Sequence, residues 1–173
     1  MRLLSTAVPA LAIALFGSAG ARADECRNIH TRIRTSVSAC DVDFSSPVGM
    51  CTIGKVASGR LAGTTRFRAL TVTPQSEFVF LYTGDLEITT RSGTVLLRDF
   101  GVVDFMMQKF SELQKVRSGT GAFRRATGML ASQGSAIGGT FDGSLKGKIC
   151  RTDEDASDHD DAVADDDESD DQE

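Results

Sequence analysis

The sequence has few of the residue types that most catalytic and nucleic-acid-binding sites use. It contains no tryptophan, one tyrosine and two histidines, and its cysteines form no C-x-x-C pair. Nucleic-acid binding is disfavoured, because proteins that hold single strands stack bases on aromatic rings. His30 is the only histidine outside the acidic C-terminal segment, so we expect neither a zinc site nor a Ser-His-Asp hydrolase. We predict no metal and no cofactor.

Long hydrophobic runs are absent except at the N-terminus. Arg2 precedes an apolar run that reaches Ala19, and Ala21-Arg22-Ala23 then supplies small residues where a signal peptidase would cleave. This run of about 17 residues is marginal for a membrane span and contains Pro9. We predict a signal peptide over residues 1–23, no transmembrane span, and a mature protein that is secreted or periplasmic.

Basic residues are absent from the C-terminal segment. Residues 153–173 hold 13 Asp or Glu and no Lys or Arg, a composition typical of a disordered acidic tail. Residues 24–152 carry 17 basic and 11 acidic residues and are long enough for one hydrophobic core. We predict one domain over 24–152 and leave the role of the tail open between solubility and a contact with a basic surface or divalent cations.

Four cysteines remain after the predicted signal peptide. An even number in an exported chain favours disulfide bonds, although four cysteines allow three pairings. We predict that Cys26 pairs with Cys150 near the two ends of the domain. Cys40 and Cys51 would then close a short local loop.

The body of the chain alternates between apolar and polar residues in the manner of β-strands. From Phe78 to Thr90, Tyr82 shares an apolar face, while Asp85 and Glu87 lie on the opposite face and are expected in solvent. Similar alternation covers 60–71, 140–150, 29–38 and 93–99, whereas 105–115 is ambiguous and is the single candidate helix.

Glycine-rich turns separate these runs, which favours a β-sandwich or a β-barrel. Gly143 and Gly147 alternate with Phe141 and Leu145, a pattern typical of the strongly curved strands of a closed barrel. We therefore predict an all-β fold.

Four segments resemble the allene oxide cyclase and dirigent-like β-barrel family. They are Tyr82–Leu86, Gly93–Asp99, Ser118–Leu130 and Gly138–Cys150, and the GTG-x-F-x-x-A-x-G element at 119–128 is the best match. The resemblance covers roughly half of the predicted domain. It implies an antiparallel, closed barrel of about eight strands with an apolar cavity, often as a homo-oligomer. In that family this element links two barrel strands, and Phe123 is expected to plug one barrel end.

Plant members of that family cyclise an unstable fatty-acid epoxide or steer the coupling of phenoxy radicals. Their catalytic residues cannot be matched to this chain one by one, so the catalytic residues stay unknown. Tyr82 is the best candidate for a polar group in a cavity. We predict a ligand-binding set of one polar and four apolar residues: Tyr82, Phe67, Phe80, Leu86 and Phe141.

Three functions fit the sequence. The first is an exported barrel that binds a small apolar ligand or a partner protein without catalysis, and the second is a cofactor-independent isomerase or cyclase. The third is an envelope-associated structural or interaction protein whose acidic tail makes the contact. Two or more ionisable groups that converge inside the cavity would favour the enzyme, while a fully packed barrel would exclude both the enzyme and the ligand carrier.

Overall fold

Eight antiparallel strands close into a barrel in the computed structural model, which describes residues 25–151. Each strand pairs with its neighbour in the chain, and the first strand also pairs with the last over 12 residue pairs. The closed all-β barrel predicted from the sequence is confirmed. The predicted signal peptide and acidic tail lie outside the described residues. The strands are β1 (Glu25–Ser38), β2 (Cys51–Val56), β3 (Gly63–Pro74), β4 (Val79–Thr90), β5 (Gly93–Asp104), β6 (Lys109–Gly119), β7 (Ala126–Ile137) and β8 (Thr140–Arg151).

The two ends of the barrel differ. We call the end with the β2–β3, β4–β5 and β6–β7 loops the closed end, because two 3-10 turns fold across it. Leu61 from the first turn and Phe123 from the second are fully buried, and the Arg60 guanidinium lies 6.0 Å from the Phe123 ring centre. Phe123 therefore plugs this end, as the sequence predicted. The first and last described residues, in β1 and β8, also lie here.

The opposite end carries the β1–β2, β3–β4, β5–β6 and β7–β8 loops, and we call it the open end. Alternate residues of every strand point inward. Between the middle of the barrel and the closed end, these inward side chains are aliphatic and fill the interior. Toward the open end the filling is incomplete, and a cavity remains there. This asymmetry positions the candidate site. The most deeply buried aliphatic residues are Leu61, Ile88, Val95, Leu97, Leu130 and Leu145.

Both predicted disulfide bonds are present. Cys26 and Cys150 lie opposite each other where β1 pairs with β8, and Cys40 pairs with Cys51 across the β1–β2 loop. No free cysteine remains in the chain. Such bonds persist in oxidising surroundings and are rare in the cytosol.

The ambiguous segment over 105–115, the single candidate helix, is not helical. Phe105–Gln108 form the β5–β6 turn, and Lys109–Gly119 form β6. The Asp104 carboxylate accepts a hydrogen bond from the Met107 backbone N–H at 2.8 Å, and Gln108 adopts a φ of 54°. This turn, held by the Asp104 carboxylate, separates β5 from β6, so residues 105–115 do not form one continuous amphipathic segment. In residues 25–151, no helix is long and apolar enough to cross a membrane.

The expectation that Asp85 lies in solvent is also wrong. Asp85 is on the outer face of β4, yet it is only 2% exposed, because Arg68 and Arg98 from the neighbouring strands cover it. Arg68 Nη2 lies 3.0 Å and Arg98 Nε 2.9 Å from its two carboxylate oxygens. Glu87, two residues along the same face, pairs with Arg66 at 2.8 Å and stays partly exposed.

Candidate functional site

A cavity of about 220 Å³ occupies the half of the barrel next to the open end. Its lining takes in inward residues of β1 to β6 and β8 and two loop residues at the open end, Met50 and Phe105. Phe105 is 46% exposed, so the cavity reaches the surface at this end. Most of the lining is apolar, which is typical of a site for a small organic ligand.

All five residues that the sequence predicted as ligand contacts line this cavity. Phe67, Tyr82 and Leu86 surround its inner part, while Phe80 and Phe141 lie nearer the open end. The Phe67 and Tyr82 rings meet edge to face, with 6.0 Å between their centres. That these residues bind a ligand stays a prediction, but the structure does bring them together.

Tyr82 belongs to a row of inward residues that crosses four neighbouring strands. Tyr82 of β4 is opposite Gly101 of β5, Gly101 is opposite Glu112 of β6, and Glu112 is opposite Ser132 of β7. A Cβ atom at position 101 would lie 2.3 Å from Cζ of Tyr82. Because Gly101 has no side chain, the tyrosine ring passes over it, and its hydroxyl donates to Glu112 Oε1 at 2.5 Å.

Glu112 is the centre of a buried polar cluster. Besides Tyr82, it accepts hydrogen bonds from the Ser132 hydroxyl and from Gln114 Nε2, the latter at 3.1 Å. The Gln114 amide also lies 3.4 Å from Oδ2 of Asp99 and so bridges the two carboxyl groups. We call Tyr82, Asp99, Glu112, Gln114 and Ser132 the interior polar cluster.

Asp99 is the least satisfied member of the interior polar cluster. It is 1% exposed, and its Oδ1 atom has no hydrogen-bond partner, as is also true of Gln114 Oε1. Both Asp99 and Glu112 line the cavity. A buried oxygen without a partner costs free energy, and a ligand that supplied a hydrogen bond to Asp99 would offset part of that cost.

Burial raises the pKa of both carboxyl groups above the usual range. The pKa of Asp99 is raised first by loss of water and then by the charge of nearby Glu112. Loss of water also raises the pKa of Glu112, although its hydrogen bonds from Ser132, Tyr82 and Gln114 act in the opposite direction. Glu112 accepts three hydrogen bonds whereas Asp99 Oδ1 has no partner, so the charged form is better stabilised at Glu112 than at Asp99.

The pKa of Tyr82 is likewise raised, by burial and by the charges of Glu112 and Asp99. The phenol therefore stays protonated and acts as a hydrogen-bond donor. The cavity wall thus presents two carboxyl groups in different hydrogen-bond environments, and such a pair can supply the acid and the base of general acid–base chemistry. The ionisable groups that line the cavity within the described range are all acids or phenol, with no Lys, Arg or His among them.

Sequence reasoning missed Glu112, Gln114 and Ser132. The signal was available, because Phe110, Glu112, Gln114 and Val116 alternate with exposed Ser111, Leu113 and Lys115. That alternation predicts a strand with Glu112 on the same face as Phe110. The candidate helix over 105–115 concealed it, since a helical period places these residues on different faces.

No protein-family model matches this chain, and no match is found among curated proteins. The resemblance to the allene oxide cyclase and dirigent-like family accordingly stays a hypothesis. Within residues 25–151 no group of three or more His, Cys, Asp and Glu side chains is arranged to hold a metal ion.

Proposed function

We propose that this protein is an exported barrel that binds a small apolar molecule in the cavity at its open end. The observation that carries the proposal is a largely apolar cavity whose wall holds one unpartnered buried oxygen, Asp99 Oδ1. The apolar lining favours the body of such a ligand, and Asp99 would contact its single polar group. The two disulfides agree with a location outside the cytoplasm.

The native fluorescence of the protein offers a direct test. Tyr82 is the only tyrosine, and there is no tryptophan, so the emission reports on the cavity wall itself. The neutral apolar dye N-phenyl-1-naphthylamine should bind with a stoichiometry of about one and receive energy from Tyr82. Absence of saturable binding would contradict the proposal.

Two substitutions one residue apart provide the matched control. Val103 lines the cavity, whereas Val102, paired with exposed Leu81 and Ser111, lies on the outer face of β5 and lines a separate surface groove there. Val103→Phe should fill the cavity and weaken dye binding by more than about tenfold, since it removes space for an apolar group. Val102→Phe adds the same side chain outside and should leave dye binding unchanged. Equal effects of the two changes would mean that the dye binds elsewhere.

A second function is favoured by the convergence of Asp99, Glu112 and Tyr82 on one side of the cavity. We propose as the alternative a cofactor-independent isomerase or cyclase, in which protonated Asp99 is the acid and the Glu112 carboxylate is the base. The resemblance to allene oxide cyclases suggests an unstable fatty-acid epoxide as the substrate to supply.

The Glu112→Gln substitution distinguishes a ligand carrier from an isomerase or cyclase. In an enzyme this change should abolish formation of the cyclised product while dye binding persists, because the cavity keeps its shape. A carrier would bind the dye in both forms and accelerate no reaction in either. Product formation that survives Glu112→Gln would exclude Glu112 as the base.

A further inference from the structure

The loops at the two ends of the barrel have opposite surface chemistry. The three closed-end loops, 57–62, 91–92 and 120–125, contain four arginines and no acidic residue. The four open-end loops, 39–50, 75–78, 105–108 and 138–139, contain no Lys or Arg and three acidic residues. Exposed large hydrophobic side chains occur in the open-end loops, and none lies in the closed-end loops of the described chain.

Exposed apolar residues gather at the end of the barrel where the cavity opens, and we call six of them the apolar rim. Each of the four hairpins at this end contributes at least one of them. Met106 and Met107 at the tip of the β5–β6 turn are 68% and 66% exposed. Isolated exposed hydrophobic residues are ordinary, whereas a set gathered around one opening marks an interaction site. The apolar rim consists of Val48, Phe78, Phe105, Met106, Met107 and Ile137.

The apolar rim is continuous with the cavity. The Phe105 backbone N–H donates to the Phe78 carbonyl at 2.9 Å, which holds the β3–β4 and β5–β6 loops together. The Phe105 ring then meets the ring of Phe80, with 5.8 Å between their centres, and both rings line the cavity. The Phe105 ring thus belongs both to the rim and to the cavity wall, so apolar surface continues from one to the other.

We propose that the open end of the barrel docks on the surface of a lipid bilayer, with the apolar rim inserted among the lipids. A second copy of the chain fits this surface less well, because two open ends brought together would oppose loops that each hold three acidic residues and no Lys or Arg. The open-end loops supply no basic residue for anionic headgroups. Docking would therefore rest on apolar insertion into a neutral or zwitterionic surface.

The course of the chain agrees with this orientation. The described chain ends at Arg151, at the closed end, and the 13 acidic residues of 153–173 follow from that point. The acidic segment is thus attached to the end of the barrel that faces away from the bilayer. The further step, that the cavity takes its apolar ligand from the lipid phase, rests on the proposed function.

Flotation with phosphatidylcholine vesicles tests the docking. Residues 24–173 are used, because the apolar run in 1–23 would itself bind lipid and because the barrel over 25–151 closes without it. The protein should float with the vesicles, and its partitioning should not fall between about 0.1 and 1 M salt, since no long-range charge attraction contributes.

Two double substitutions distinguish the rim from exposed apolar residues in general. Met106→Ser/Met107→Ser removes two rim side chains and should lower the partition coefficient by about tenfold or more. Ile53→Ser/Met129→Ser removes two side chains that are 54% and 50% exposed on the outer wall of the barrel and should leave the partition coefficient unchanged. Circular dichroism and the thermal midpoint of each variant establish that it folds.

Three results would overturn the docking proposal. They are wild-type protein that does not float, an equal loss in both double variants, and a rim substitution that converts a dimer to a monomer without vesicle binding. Dye binding without vesicles, measured by energy transfer from Tyr82, tests the proposed function independently of docking. Dye binding without flotation refutes docking alone, while flotation without dye binding refutes the ligand cavity alone.

Discussion

Asp99 and Glu112 place two carboxyl groups inside a barrel whose described interior supplies them with no cation. Glu112 is satisfied by three donors, and it depends on the absence of a side chain at Gly101 for one of them. Asp99 has one side-chain contact, at 3.4 Å, and one oxygen without a partner. Such an arrangement lowers stability and is therefore typical of residues retained for binding or catalysis.

The raised pKa of Asp99 predicts the direction in which stability changes with pH. A carboxyl group with a higher pKa in the folded than in the unfolded chain binds its proton more tightly when folded. Its contribution is therefore intact below the unfolded pKa, near about 4, and is lost as the pH rises through the folded pKa. Asp99→Asn removes this titration and should stabilise the protein increasingly as the pH rises above about 4.

Urea unfolding of wild type and Asp99→Asn across the acid-to-neutral range measures this effect. The difference in the free energy of unfolding should grow by at most about 1.4 kcal/mol per pH unit and then level off above the folded pKa. Asp142→Asn is a suitable control, because the pKa of Asp142 is lowered by its hydrogen bond to Arg32 and its effect has the opposite sign. If the difference in the free energy of unfolding between wild type and Asp99→Asn does not vary with pH, the raised pKa of Asp99 is contradicted.

At the scale of the element, the alternation within each strand decides which face a residue occupies but not how deeply it is buried. The outer face of β3, β4 and β5 is covered by crossing ion pairs, and the Phe44 ring lies over it, with Arg66 and Arg68 each 4.6 Å from the ring centre. Asp85 is buried by these arginine side chains rather than by the core.

Asp85 therefore contributes more to stability than its outward direction suggests. Asp85→Asn should lower the free energy of unfolding by about 2 kcal/mol, because two arginines lose a shared, buried charged acceptor. Glu87→Gln, on the same face, should cost less than about 1 kcal/mol, since its ion pair with Arg66 is more exposed. Urea denaturation monitored by circular dichroism compares them, and a larger loss for Glu87→Gln would show that burial does not set the order.

At the scale of the whole molecule, the barrel closes where the first strand meets the last, and the Cys26–Cys150 bond lies at that seam. It joins residues 124 positions apart, while Cys40–Cys51 joins residues 11 apart. A disulfide restricts the unfolded chain more when the loop it closes is longer.

Removing the two disulfides should accordingly have unequal effects. Cys26→Ala/Cys150→Ala should lower the free energy of unfolding by about 5 kcal/mol, and Cys40→Ala/Cys51→Ala by about 3 kcal/mol. Chemical denaturation of both variants under the same conditions gives the comparison, and their denaturant slopes should reveal any change in the unfolded state. The reverse order would mean that native contacts of the β1–β2 loop outweigh the loop-length effect.

From the sequence by itself the all-β barrel, both cysteine pairs and five of the residues that line the cavity could be predicted. The strands and their inward faces depend on local alternation, which is visible along the chain without knowledge of distant contacts. The cysteine count alone allowed three pairings, and the eight-stranded barrel was implied by the family resemblance. Local alternation likewise predicted the inward direction of Tyr82, while the plug formed by Phe123 was predicted from the GTG-x-F-x-x-A-x-G element.

Only the tertiary structure decided the interior polar cluster, the burial of Asp85 and the difference between the two barrel ends. Glu112 meets Tyr82 across β5 because the registers of three strands place them in one row with Gly101 between them. Asp85 is buried by arginines from neighbouring strands, and the apolar rim forms from four separate hairpins. Each of these features joins residues that are distant in the chain, so the pairing of strands, and not the pattern within any one of them, brings them together.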